Sequence, residues 1–258
     1  MEIPDLQRCL EEQKQELKES KGWDKNLLCA MLQSLQYVLK YYPYREYNKR
    51  KKRDDKLTLT GYISYLEKNL TPRRLEHSLG VMKTMEELAT VYNLDRQKAA
   101  LAGLLHDSAK ELKSTQWIKL SRASNITTGD ENIYDYDHYL HGPVGALLVQ
   151  RDLGINDDDI LGAIATHGYY GNWEQFNRPL SWCLRMADIL EPGRDWSENR
   201  WVNVVFERLH TATYTGHLEE SIQLWTKRLV EWYENDDVPV HPNIHQTLAN
   251  FSHDVQAI

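Results

Sequence analysis

The chain has 258 residues, 41% of them apolar with eight Trp and fifteen Tyr, enough for one large domain or a domain with an extension. Its formal net charge of −7 is unevenly placed: residues 1–70 carry 14 Lys/Arg against 11 Asp/Glu, while the remainder carries 17 against 27. An acidic body excludes general DNA binding, which draws on many phosphate contacts from Lys and Arg, and the three scattered cysteines Cys9, Cys29 and Cys183 exclude a disulfide framework and a thiolate zinc site. The N-terminal MEIPDLQRCLEEQ lacks the apolar core of a signal peptide. No segment approaches the roughly 20 apolar residues of a membrane helix. The expectation is a soluble protein of a reducing cytoplasm with no membrane partner.

Taken in chain order, the sequence reads as nearly all helix, since no alternating β-branched run lasts beyond a few residues. Residues 4–21 and 23–42 are two expected helices, broken near Lys21-Gly22. The charged run YYPYREYNKRKKRDDK at 41–56 follows Pro43 and reads as a boundary. Its tyrosines beside basic residues can bind a single strand, but Asp54 and Asp55 dilute the charge and a solvated face explains it better. We therefore divide the chain into a helical extension, 1–70, and a catalytic domain, 71–258.

Thr71-Pro72 starts a helix, with Thr as N-cap and Pro at the first helical position. The stripe His77, Val81, Met85, Leu88, Tyr92 follows at helical intervals, and Asp95 caps the next helix, whose Leu101, Leu104 and Leu105 end at His106-Asp107. Residues 123–137 are polar and turn-rich and read as a loop. A helix restarts near Pro143 and stops at Gly154, and Asp157, Asp158 and Asp159 suit the positive end of another that finishes at His167-Gly168. Residues 180–190 and 198–233 are further helices. Ile222, Trp225, Leu229 and Trp232 make an amphipathic face, either core or the contact of a homodimer. His241 and His245 have i, i+4 spacing, but without an intervening Glu they fail the HExxH pattern.

Four imidazoles and two carboxylates recur in this order beside helix ends or glycines: His77, His106, Asp107, His141, His167 and Asp188. A lone His on a helix is uninformative, whereas the ordered set points to metal. Imidazole plus carboxylate suits Fe, Mn, Co or Zn, and six ligands are too many for one catalytic ion that keeps an open position. They suit two ions sharing Asp107, with a water or hydroxide bridging them. Adjacent residues on a helix point about 100° apart, so His106 and Asp107 can serve one centre only where the helix ends. Lys110, three residues beyond Asp107, is placed to meet a phosphate oxygen and to assist catalysis with Asp107. Arg194 is a second phosphate candidate, with Arg73 and Arg74 behind it.

The order H…HD…H…H…D resembles that of the HD-domain metal-dependent phosphohydrolases. The words RRLEHSLGVMKTMEELATVYNLDRQKAALAGLLHDSAKEL, LHGPVGA, MADILEPGR and VHPNIHQTLANF are similar to the YqeK-type branch, across residues 70–252. The resemblance implies an all-α helical bundle and a centre of two divalent ions, iron first, with Mn, Co or Zn as alternatives. It also implies symmetric cleavage of diadenosine tetraphosphate into two ADP. By the same resemblance His77, His106, Asp107, His141, His167 and Asp188 fall on the metal positions. Gly142 in LHGPVGA joins Lys110, Arg194 and Tyr169 as substrate contacts.

The chain departs from the branch after His167. It reads Gly168-Tyr169-Tyr170-Gly171 in place of a short Thr-Thr-Gly turn, and the two tyrosines either stack on a base or pack the loop. This keeps other nucleotide substrates open: a dNTP, a guanosine polyphosphate alarmone or a cyclic nucleotide. A nucleotide sensor without turnover is the reading from another class.

Overall fold

The structure, a computed structural model, describes residues 58–126 and 137–252. The expected helices at 4–21 and 23–42, the charged run at 41–56 and most of the polar 123–137 segment lie outside these residues. The chain divides into two compact units, Met1–Tyr65 and Leu66–Ile258. Of the first, only residues 58–65 are described, as the opening turns of helix α1 (Leu59–Asn69).

The second unit is all-α among the described residues. After α1 come α2 (Pro72–Val91), α3 (Arg96–Leu105), α4 (Ser114–Ala123), a single 3₁₀ turn (Asp137–Tyr139), α5 (His141–Leu153) and α6 (Asp158–Thr166). The short α7 (Trp173–Phe176), the central α8 (Pro179–Leu190) and α9 (Arg200–Asn203) follow. The last three are α10 (Phe206–Tyr214), α11 (Leu218–Asn235) and α12 (Pro242–Ser252). None of the described helices is long and apolar enough to cross a membrane.

Local chemistry sets several of these ends. Asp95 accepts hydrogen bonds from the Gln97 and Lys98 amides at 2.8 and 3.0 Å, and Asp157 does the same for Asp159 and Ile160. Each satisfies two amides that have no intrahelical partner. Gly154 closes α5 in the left-handed conformation at φ 66°, which glycine adopts without a Cβ penalty. Thr71 occupies the N-cap position of α2 with Pro72 behind it, but its hydroxyl does not cap. It donates instead to Glu111 Oε1 at 2.7 Å and so ties the start of α2 to the turn after α3.

α8 is the core helix. Ten of its residues are buried, from Leu180 to Leu190, and it packs against α2, α3, α6 and α11. Fully burying a Leu or Met side chain contributes about 1.5–3 kcal/mol, so Leu184 and Met186, both at 0% exposure, anchor the bundle. Ile222, Trp225 and Leu229 of α11 are buried within the same chain, so these three positions are core, while Trp232 stays partly exposed. Further elements beyond the sequence expectation are α1, α4 and α7, which carry no long apolar stripe. The 198–233 region divides into α9, α10 and α11.

Candidate metal centre

Three helix ends and two helix faces converge on one centre. His77 comes from α2 and Asp188 from α8, with His77 Nε2 2.9 Å from Asp188 Oδ1. α3 ends at Leu105 and the chain turns through residues 106–110, which lets His106 and Asp107 face the same centre. His141 opens α5 and His167 closes α6. The six residues singled out from the sequence are thereby brought together.

Asp107 sits at the middle. Its Oδ2 is 3.7 Å from His106 Nε2, while its Oδ1 is 3.9 Å from His141 Nε2 and 3.6 Å from His167 Nε2. Two donor groups result, His77/His106/Asp107 and Asp107/His141/His167, each with ligand atoms within 4.8 Å of one another. They share one carboxylate whose two oxygens face different groups. Asp188 Oδ1, 3.7 Å from His106 Nε2, adds a second carboxylate to the first group.

The donors fit divalent cations. His106 Nδ1 lies 2.7 Å from the Gly103 carbonyl and His167 Nδ1 2.7 Å from the Ile164 carbonyl. A carbonyl only accepts, so each ring carries its proton on Nδ1 and offers the Nε2 lone pair to the centre. His106 Nε2 is buried with no hydrogen-bond partner among the described residues, a cost that a cation would relieve. His141 Nε2 and His167 Nε2 approach to 3.1 Å with both rings aimed at one point.

The electrostatics agree with a charge-binding centre. Burial opposes ionisation of Asp107, but His106, Lys110 and the nearby His167 and His141 imidazoles hold its carboxyl well below the usual range. Asp188 is likewise held low against burial, by Arg194 and by His106 and His77. Burial lowers the His167 imidazole. His77 goes the other way: burial would lower it, yet the Asp188 and Glu191 carboxylates raise it to about 9.

Three cations surround this centre. Lys110 Nζ is 2.9 Å from His141 Nε2, Arg194 Nη2 is 2.6 Å from Asp188 Oδ1, and Arg74 Nη1 is 3.6 Å from Asp107 Oδ2. Arg74 also pairs with Glu111 at 3.1 Å, the carboxylate that Thr71 holds. Arg74 thus stands at the centre with Lys110 and Arg194, whereas Arg73 makes no such contact among those described.

Gly142 and the two tyrosines after His167 each have a packing role in three dimensions. Gly142 is buried, and a Cβ there would stand 2.6 Å from the Ala165 carbonyl, so close approach of α5 to α6 accounts for the glycine. Tyr170 is buried and stacked on Tyr139, which removes it as a base platform. Tyr169 keeps some exposed surface. Its φ of 68° is unusual for a non-glycine residue. Its hydroxyl accepts a hydrogen bond from Trp225 Nε1, and its ring faces the Arg185 guanidinium at 5.4 Å.

Sequence reasoning missed three supports. Glu191 Oε1 lies 3.1 Å from His77 Nδ1, and only its place one helical turn after Asp188 hinted at this. Arg185 is buried in the core, donates to the Thr166 carbonyl at 2.7 Å and the Phe176 carbonyl at 2.9 Å, and lies over the Phe176 ring at 3.9 Å. It thus holds the residue before His167, and burial lowers its guanidinium to about 9. Asn243 of α12 donates to the Gly171 carbonyl at 2.9 Å, pinning the loop after His167.

Residues 74–195 match the model of the HD domain. The chain is 35% identical to the symmetrical bis(5'-nucleosyl)-tetraphosphatase of Halalkalibacterium halodurans over 143 residues, 52% of this chain and 69% of that one. It is 28% identical to the protein of the same name from Staphylococcus aureus over 192 residues, 74% of this chain and 93% of that one. Among solved structures it resembles a predicted HD superfamily hydrolase involved in NAD metabolism from Clostridium acetobutylicum. That match has a TM-score of 0.66 and 30% identity, covering 75% of this chain and 96% of the other.

Proposed function

Because the chain belongs to the HD-domain family of symmetrical bis(5'-nucleosyl)-tetraphosphatases, we propose that it hydrolyses diadenosine tetraphosphate to two ADP at a centre of two divalent ions. The observation that carries this reading is the pair of donor groups sharing Asp107, ringed by Lys110, Arg194 and Arg74. His77, His106 and Asp188 would hold one ion, His141 and His167 the other, and Asp107 both. Such ions, when bound, lower the pKa of water and neutralise phosphate charge. We place iron first among the candidates, with Mn, Co or Zn accepted by the same donors.

The chain's own residues supply the rest. Phosphoanhydrides resist water because their anionic oxygens repel a nucleophile, so catalysis is largely positioning and charge stabilisation. Lys110 offers a compact point charge beside His141, and Arg194 and Arg74 offer planar guanidinium groups that match two phosphate oxygens. Asp107 and Asp188 stay ionised across the working range, so the donor groups remain anionic. Water adds to a phosphorus at the centre of the tetraphosphate, one P–O bond breaks, and both halves leave as ADP. Tyr169, beside His167 and partly exposed, is our candidate for stacking on a base. The buried thiol of Cys183 is compatible with the reducing cytoplasm we assign to the protein.

The test is a product assay. Metal-stripped protein, reloaded with Fe(II), Mn(II) or Co(II), is given diadenosine tetraphosphate, dNTPs, guanosine tetraphosphate and cyclic nucleotides, with Asp107→Ala as control. ADP as the single product from diadenosine tetraphosphate, with a silent control, supports the reading. Turnover of a different nucleotide alone overturns the substrate, and metal-bound protein without any turnover turns the reading to a sensor.

A further inference from the structure

Glu191 is buried at 4% exposure and lies on the side of the His77 ring away from the donor centre. Its Oε1 is 3.1 Å from His77 Nδ1, while Nε2, across the ring, faces Asp188. Its Oε2 accepts the Gly193 amide at 2.6 Å. Two glycines make room for it. A Cβ on Gly80, one turn after His77 on α2, would strike Oε2, and one on Gly193 would come within 2.9 Å of the same oxygen. A carboxylate enclosed by two backbones and hydrogen-bonded through both oxygens is set in one orientation.

We propose that Glu191 is the positioning residue for His77, and that it sets the cation affinity of the His77/His106/Asp107 group without affecting that of Asp107/His141/His167. The inference rests on the reading that these groups hold divalent ions. His106 and His167 are oriented by backbone carbonyls, those of Gly103 and Ile164. His77 is oriented by a carboxylate, which as an anion makes the imidazole a stronger donor than a carbonyl does. The end of α8 therefore supplies both a candidate ligand, Asp188 in its last turn, and, at its C-cap, the support for the ligand opposite it.

The experiment is a Co(II) titration of the metal-stripped full chain, followed by ligand-field absorption and equilibrium dialysis. Wild type takes up two equivalents. In Glu191→Ala one equivalent weakens about 10- to 100-fold and the other is unchanged. Glu191→Gln falls between, because its carbonyl can still accept from Nδ1 while its amide cannot also accept from Gly193. In a His77→Ala background, Glu191→Ala adds no further loss, since the residue it positions is gone. Equal weakening of both equivalents, no weakening, or a loss that persists in the His77→Ala background overturns the proposal. Wild type that holds no Co(II) removes the metal reading and Glu191 with it, whereas normal wild-type binding with an unaltered Glu191→Ala removes Glu191 alone.

Discussion

The two halves of the centre are built in different ways. The His77 and Asp188 half rises from the faces of α2 and α8, and its imidazole leans on the Glu191 carboxylate. The His141 and His167 half stands on helix ends and is braced from outside: by Arg185 on the Thr166 carbonyl and by Asn243 on the Gly171 carbonyl. The first half is charged, with Asp188, Glu191 and Arg194 in direct contact with His77. The second is set in aromatic packing, where Tyr139, Tyr170 and His241 touch one another. One half should respond to charge and pH, the other to packing.

The largest expected effect removes the residue common to both halves. Asp107→Ala should abolish both donor groups at once and lower kcat/KM on the order of 10³-fold or more, since metal-supplied stabilisation is worth several kcal/mol and each 1.36 kcal/mol is tenfold. Steady-state kinetics check it, and a residual rate within tenfold of wild type would break the two-group view. Next come the cations. Lys110→Ala and Arg194→Ala should each cost about 10- to 100-fold in kcat/KM, as expected for loss of a charged contact of about 1.5–3 kcal/mol. The same assay on both variants shows whether the two halves bear on the substrate equally.

A pH comparison separates the halves in the metal-free protein. The His77 pKa is raised to about 9, above its unfolded value of 6.5. Its contribution is therefore fully present below pH 6.5 and lost as pH rises through 9, at most about 3 kcal/mol for such a shift. Melting temperature should fall across that window in wild type, and His77→Ala should flatten the fall. A slope unchanged by His77→Ala would place its origin elsewhere. The smallest effect belongs to the packing side. Asn243→Ala, which removes one hydrogen bond to Gly171, should cost about 1 kcal/mol in denaturant unfolding, with a slope on pH like that of wild type.

Much of the centre was legible in the chain because ligand chemistry is local. His106-Asp107 after an apolar run, His167-Gly168 after a capped helix and His141 before Pro143 each announce a helix terminus where a side chain can turn inward. The same locality made Asp95, Asp157 and Gly154 readable as caps and stop. Glu191 was barely readable: beyond its place one turn after Asp188 it resembles a surface glutamate in MADILEPGR, and only the approach of α2 to the end of α8 gives it His77 as a partner. Gly142 shows the same limit, since a glycine that admits a neighbouring helix looks in sequence like one that admits a ligand.

The all-α class, the main helices and the choice of six candidate metal residues were determined by periodicity, caps and residue type, which act within a few residues. The tertiary structure decided which carboxylate oxygen faces which group, that Thr71 serves Glu111 in place of its own helix, and that Arg185 lies in the core. These depend on contacts between residues far apart in the chain, whose geometry is set by how helices pack and not by the order of residues along them.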